Sequence, residues 1–156
     1  MRPEQERKGF FESFSNACRG LLIAVRNERN FRVHICMMIY VIIFSVIGKV
    51  PLGDFRNFFL CFGAVFSAEL INTAIEKLCD EVTEERKESI RNIKDISAGA
   101  VLVVAVFSAV LGLCVFLSPA VFFEVLATLL ENPLVAAAIL LSIPVSCLFI
   151  LRRKKK

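Results

Sequence analysis

The segment Glu69-Leu-Ile-Asn72-Thr73-Ala-Ile-Glu76-Lys77-Leu-Cys-Asp80 carries the groups with the most chemistry in the chain. Glu69, Asn72, Thr73, Glu76 and Asp80 recur at i, i+3, i+4, i+7 and i+11, which places them on one face of a helix. Leu70, Ile71, Ile75 and Leu78 occupy the remaining faces, so the acidic stripe runs along an otherwise lipid-compatible helix. Ionisable groups in such a helix are costly and are functional by default. Two further segments bring carboxylates to membrane-flanking positions: Glu28, within Arg26-Asn27-Glu28-Arg29-Asn30-Phe31-Arg32, and Asp95 beside Lys94. Together these acids repel one another unless Lys94, Arg32 or a divalent cation compensates. Hard oxygen donors without a Cys or His cluster favour Mg²⁺, which binds through one or two carboxylates plus substrate phosphates. A carboxylate base, Mg²⁺ and a nucleoside triphosphate at a membrane surface suit phosphoryl transfer to a lipid hydroxyl. Neither G-x-x-x-x-G-K-[ST] nor G-x-G-x-x-G occurs, which excludes a P-loop or a protein-kinase nucleotide site. Two other readings compete on spacing alone. The polar stripe could be interhelical glue in a membrane scaffold, with Lys77 and Lys94 as partners, or Glu69 could couple protons in a small four-helix transporter.

The elements that must carry these groups follow from hydropathy. Of 156 residues, 56% are hydrophobic and the mean hydropathy is +0.67, yet Lys+Arg is 19 and Asp+Glu 15. That combination requires segregation of charge and indicates an all-α integral membrane protein. A disordered chain, a coiled coil and a disulfide-stapled secreted domain are disfavoured. So is a nucleic-acid binder, because the net charge is only +4 and no basic patch is interleaved with aromatics. The apolar runs predict four spans, at about 32–50, 56–78, 96–117 and 133–151. Pro144 falls in the last and predicts a kink there. Glu69 then lies roughly 20 Å along the second span at 1.5 Å per residue, in the inner leaflet.

Every Lys and Arg except Lys49 and Arg56 precedes the first span, lies around the 77–95 connection or follows the fourth span. The positive-inside rule therefore puts both termini and the 77–95 loop in the cytoplasm. The N-terminus lacks the apolar core of a signal peptide. Residues 9–29 instead pattern as an amphipathic helix lying in the headgroup plane, with Phe10, Phe11, Phe14, Ala17, Cys18, Leu21, Leu22 and Val25 on one face. The six cysteines form no C-x-x-C pair and read as small apolar packing residues. The terminal Arg152-Arg153-Lys154-Lys155-Lys156 reads as a topology anchor.

Several of these residues form a pattern that resembles the prokaryotic diacylglycerol kinase/undecaprenol kinase family, and more closely its undecaprenol kinase branch. The pattern is Glu69-Leu-Ile-Asn72-Thr73-Ala74-Ile75-Glu76 with Asp80, and Lys94-Asp95-Ile-Ser-Ala98-Gly99-Ala100-Val101, preceded by Ala17-x-x-Gly20 and Glu28-x-Asn30-Phe31-Arg32-x-His34. The resemblance covers about residues 9–117. It implies a kinase core over residues 1–117, with 118–156 as an extra transmembrane helix and basic tail. It implies a homotrimer with active sites between protomers, in a bacterial cell membrane, that phosphorylates undecaprenol or, as the alternative, diacylglycerol. It assigns Glu69 as general base and, with Arg32, as a contact to the lipid. Asn72 orients the catalytic face, and Glu28 and Glu76 hold Mg²⁺. Glu28, Glu76, Asp80, Lys94, Asp95 and Lys87 contact ATP. The chain departs from the family in the 77–93 loop, where Glu84-Glu85-Arg86-Lys87 stands in place of an aromatic and a His, and in its fourth span.

Overall fold

The computed structural model describes residues 9–82 and 87–152. The basic residues before Gly9, the run Glu84-Glu85-Arg86 and the tail from Arg153 onward lie outside the described residues. The described chain is helical throughout: α1 (Phe10–Asn27), α2 (Arg29–Ile47), α3 (Leu52–Val82), α4 (Glu88–Phe116), α5 (Pro119–Glu131) and α6 (Pro133–Leu151). Four of these, α2, α3, α4 and α6, are long and apolar enough to cross a membrane. The protein is a multi-pass, all-α membrane protein.

α3 has 31 residues, a length of about 46 Å at 1.5 Å per residue. A hydrocarbon core is only about 30 Å thick. The helix therefore projects past the apolar layer, and its C-terminal turns carry Glu76 and Asp80 where water and headgroups can solvate them. α4 begins at Glu88, eight residues before the start of the predicted span. Charge marks the edge of the apolar run, but charged residues propagate a helix readily once it leaves the bilayer. The Arg91–Asp95 pair, 3.7 Å apart at i,i+4, supports that extra length. Lys94 and Asp95 are thus helical residues and not loop residues.

α3 and α4 form an antiparallel hairpin. At one end Phe58 stacks on Phe116 with ring centroids 5.6 Å apart, and at the other Asn72 bonds to Ser97. α2 packs beside α3 through Phe31 and Phe66, whose centroids are 5.2 Å apart. The segment between the third and fourth spans is itself a helix, α5. Pro119 and Pro133 each open a helix at its first positions, where a missing N–H costs nothing. The chain bends at Gly48-Lys49, with Lys49 at φ 48. A β-carbon on Gly48 would sit 2.8 Å from both Val121 Cγ1 and Val125 Cγ2, so only glycine lets α5 close on the end of α2. Helix assignment in α6 continues through Pro144. Tyr40 ties α6 to α2, its hydroxyl 2.9 Å from Ser142 Oγ and 3.1 Å from Ser146 Oγ.

Candidate active site

Glu28 is the joint between two helices. It closes α1 through its backbone N–H, which donates to Ala24 O at 2.8 Å, and it caps the start of α2. The extended backbone at this residue (φ −99°, ψ 118°) turns the surface helix into the first span.

Glu69 is almost fully buried, at 3% exposure. Its Oε1 lies 3.3 Å from Nε2 of His34, one helix away on α2. The charges of Glu28 and Glu76 are both felt at the Glu69 carboxyl, so three carboxylates from two regions of the chain share one electrostatic neighbourhood. One helical turn beyond Glu69, buried Asn72 spans the α3–α4 seam. Its Nδ2 donates to Glu76 Oε1 at 2.9 Å, and its Oδ1 accepts from Ser97 Oγ at 2.6 Å. The amide is thereby fixed in both directions, and it holds the Glu76 carboxylate in place. A turn further on, exposed Asp80 pairs with Lys94 at 2.5 Å. Asp95 is exposed on the same helix as Lys94 and pairs with Arg91. Lys87 is exposed just before α4.

Arg32 is placed differently from the lipid contact assigned to it from sequence. The residue is 6% exposed, and its guanidinium donates to backbone carbonyls throughout. Nη1 bonds Val25 O and Arg26 O at 3.1 and 3.2 Å, while Nε and Nη2 bond Ile150 O at 3.2 and 3.1 Å. Nor is Arg32 the counter-charge for the acids. Of the cations near this end, Lys94 is engaged with Asp80 and Arg91 with Asp95.

Two cavities meet here. A polar pocket of about 270 Å³ is lined by Asn30, Val33, His34, Glu69, Asn72, Ala98, Val101, Leu102 and Ala105. An apolar groove of about 500 Å³ runs between α2, α3 and α4, from Val33 and His34 past Val65 and Phe62 to Phe116 and Leu117. Val33, His34 and Ala105 line both. Among the groove's lining residues the polar side chains are His34 and Ser108, and the Ser108 hydroxyl donates to Val104 O within its own helix. A long hydrocarbon can therefore lie in the groove with its polar end beside Glu69.

His34 and Ser97 are the residues that sequence reasoning quoted within motifs but did not single out. The signal for Ser97 was its position three residues after Lys94, on the face of α4 that meets α3. That for His34 was its standing as the lone histidine of the chain, six residues after Glu28. Ser97-Ala98-Gly99-Ala100 are small residues of the kind that let helices approach closely. Within this chain a β-carbon on Gly99 would meet nothing within 4 Å, so that surface is open.

Among the described residues no group of three or more His, Cys, Asp or Glu side chains is gathered tightly enough to hold a metal by itself. Mg²⁺ does not need one, because phosphate oxygens and water complete its octahedron. The half-buried carboxylates of Glu28 and Glu76 are hard donors of the right kind and number.

A buried carboxylate pocket that adjoins an apolar groove, among helices long enough to cross a membrane, suits a protein that acts on a membrane lipid. The chain belongs to the prokaryotic diacylglycerol kinase family, whose pattern it matches over residues 15–116, from α1 to the last residue of α4. It is 39% identical to an undecaprenol kinase of Bacillus subtilis (strain 168) over 112 residues, which cover 72% of this chain and 91% of that protein. It is 32% identical to a diacylglycerol kinase of Synechocystis sp. (strain ATCC 27184 / PCC 6803 / Kazusa) over 108 residues, 69% of this chain and 62% of that protein. No solved structure matches the chain.

Proposed function

We propose that this lipid kinase transfers the γ-phosphoryl group of ATP to undecaprenol, with Mg²⁺, at the cytoplasmic face of a bacterial cell membrane. The observation that carries the reading is the meeting of the two cavities: buried Glu69 faces the place where a lipid in the apolar groove ends in its hydroxyl.

The transfer follows from the residues present. The lipid hydroxyl enters the polar pocket and gives its proton to the Glu69 carboxylate as its oxygen attacks the γ-phosphorus. The bond to the β–γ bridging oxygen breaks and ADP leaves. His34, 3.3 Å from Oε1, holds one oxygen of Glu69 so that the other faces the hydroxyl. Glu28 and Glu76 would hold Mg²⁺, which supplies charge neutralisation at the phosphates when bound. Asn72 fixes Glu76 for that purpose. Lys94 can exchange Asp80 for a phosphate, Asp95 and Asp80 face the nucleotide's polar parts, and Lys87 meets a phosphate from the α3–α4 connection. Arg32 contributes through the backbone and not through the lipid.

Undecaprenol is preferred over diacylglycerol on the chemistry of the groove. A polyprenol carries its hydroxyl on plain hydrocarbon. Diacylglycerol brings two ester carbonyls beside its hydroxyl, and in the groove the Ser108 hydroxyl is already bonded to Val104 O while His34 pairs with Glu69, which leaves those carbonyls without donors. Burying an unsatisfied acceptor costs about 1–3 kcal/mol. Diacylglycerol remains the second reading, favoured by the Synechocystis relative. The protein acts as a homotrimer, with the open small-residue surface at Gly99 as a seat for a neighbour's helix. Both termini are cytoplasmic, which follows from the charge distribution.

Purified full-length protein supplied with labelled ATP, undecaprenol and diacylglycerol tests this. Label is expected in undecaprenyl phosphate, with loss of transfer on chelation of Mg²⁺. Labelling of diacylglycerol alone would refute the lipid assignment. Absence of transfer to any lipid alcohol would return the scaffold reading, and substrate-driven proton flux in liposomes the transporter.

A further inference from the structure

The family pattern ends with α4, yet α6 reaches back to the first element of the site. We infer that α6 and Arg32 together form a clamp that sets the α1–α2 elbow, so that Arg32 is a positioning residue for Glu28 on the Mg-ATP side of the site. This rests on the role of Glu28 proposed above.

The elbow is a single extended residue, Glu28, whose side chain goes wherever the two helices put it. Arg32 controls both of them. Its backbone N–H donates to Glu28 O at 3.4 Å, in the first turn of α2. Its Nη1 donates to Val25 O and Arg26 O, in the last turn of α1, where helix carbonyls lack intrahelical partners. Its Nε and Nη2 both donate to Ile150 O, in the last turn of α6, another carbonyl of the same kind. A planar guanidinium is suited to this, because its donors point in fixed directions. One buried side chain thus bonds the final turns of α1 and α6 and sits one turn from Glu28. Tyr40, two turns along α2, bonds α2 to α6 through Ser142 and Ser146. The accessory span is therefore continuous, through hydrogen bonds, with the residue that meets the metal–nucleotide complex. Glu69 and the groove lie on the other side of α2, against α3, and are not part of the clamp.

The full-length protein tests this by calorimetric binding of Mg-ATP, with steady-state kinetics beside it. Arg32→Lys keeps the charge but cannot reach three carbonyls, and is expected to weaken Mg-ATP binding about tenfold, the effect of losing charge-assisted bonds. Its KM for lipid should stay at the wild-type value. The double variant Ser142→Ala/Ser146→Ala leaves Arg32 intact and only loosens α6, so it remains informative if Arg32→Lys fails to fold. It is expected to weaken Mg-ATP binding in the same direction, about threefold, with lipid KM again unchanged. The inference is overturned if the serine variant binds Mg-ATP like wild type, or if Arg32→Lys raises the lipid KM alone. Failure of wild-type protein to bind Mg-ATP at all would instead overturn the kinase reading on which the inference rests.

Discussion

Opposite ends of α2 carry charge clusters of very different construction. At its start, Glu28, Glu69 and Glu76 share one neighbourhood, and Asn72, Ser97, His34 and Arg32 around them are bonded or seated across four helices. Just past its end, Lys49 and Glu124 form a pair 2.6 Å apart, with Lys49 side chain 76% exposed. The second cluster is balanced by itself and needs nothing more than the Gly48 turn to bring it together. The first sets its carboxylates against buried neutral partners, Asn72, Ser97 and His34, and not against a cation of its own. A surface ion pair anchors a loop, whereas partly buried carboxylates held by neutral groups leave oxygens available to a cationic ligand.

Breaking the first cluster should have large effects on function. Asn72→Ala removes the bridge between Glu76 and Ser97, and the loss of a buried hydrogen-bonded group of about 1–3 kcal/mol corresponds to turnover reduced about 5- to 150-fold. Steady-state kinetics would show it, and an unaffected rate would mean that the bridge is packing alone. His34→Leu should come next, lowering kcat about tenfold, the worth of roughly one hydrogen bond, with Mg-ATP binding preserved. His34→Gln should recover part of that rate, which a purely steric role for His34 would not allow.

Disturbing the second cluster should do little. Lys49→Met is expected to leave turnover at the wild-type level and to lower the melting midpoint only slightly at neutral pH, since the pair is open to solvent and salt. The hydrogen bond and charge of Glu124 raise the Lys49 pKa above its ordinary value. A raised pKa in the folded state means that the pair's contribution is present at neutral pH and is lost as pH rises through that raised value. Thermal melts of wild type and Lys49→Met should therefore differ least above the ordinary lysine range. A large gap persisting there would make the contact something other than an ion pair.

Much of this contrast is legible in the sequence. The spans are legible because uncharged runs leave no other place for the chain, and the stripe from Glu69 to Asp80 because helical spacing puts it on one face. The ends of α3 and α4 are not, because charged residues mark the bilayer boundary without ending a helix. α5 escapes the same reading, since thirteen residues between two prolines are too short to span. The role of Arg32 could not be read at all: its partner Ile150 is 118 residues away, and the acceptor is a backbone carbonyl, which every residue has. Composition suggested that such a cation balances the acids, whereas its guanidinium bonds the carbonyls of helix ends.

The most direct test of the account is Glu69→Gln, assayed side by side for Mg-ATP binding and for transfer of labelled phosphate to undecaprenol. The substitution keeps shape and polarity but cannot accept the hydroxyl proton as a carboxylate does. Binding should remain at the wild-type level while transfer falls by about 10²- to 10⁴-fold, the usual worth of a positioned base. Transfer at the wild-type rate in this variant would contradict the assignment of Glu69 as the base.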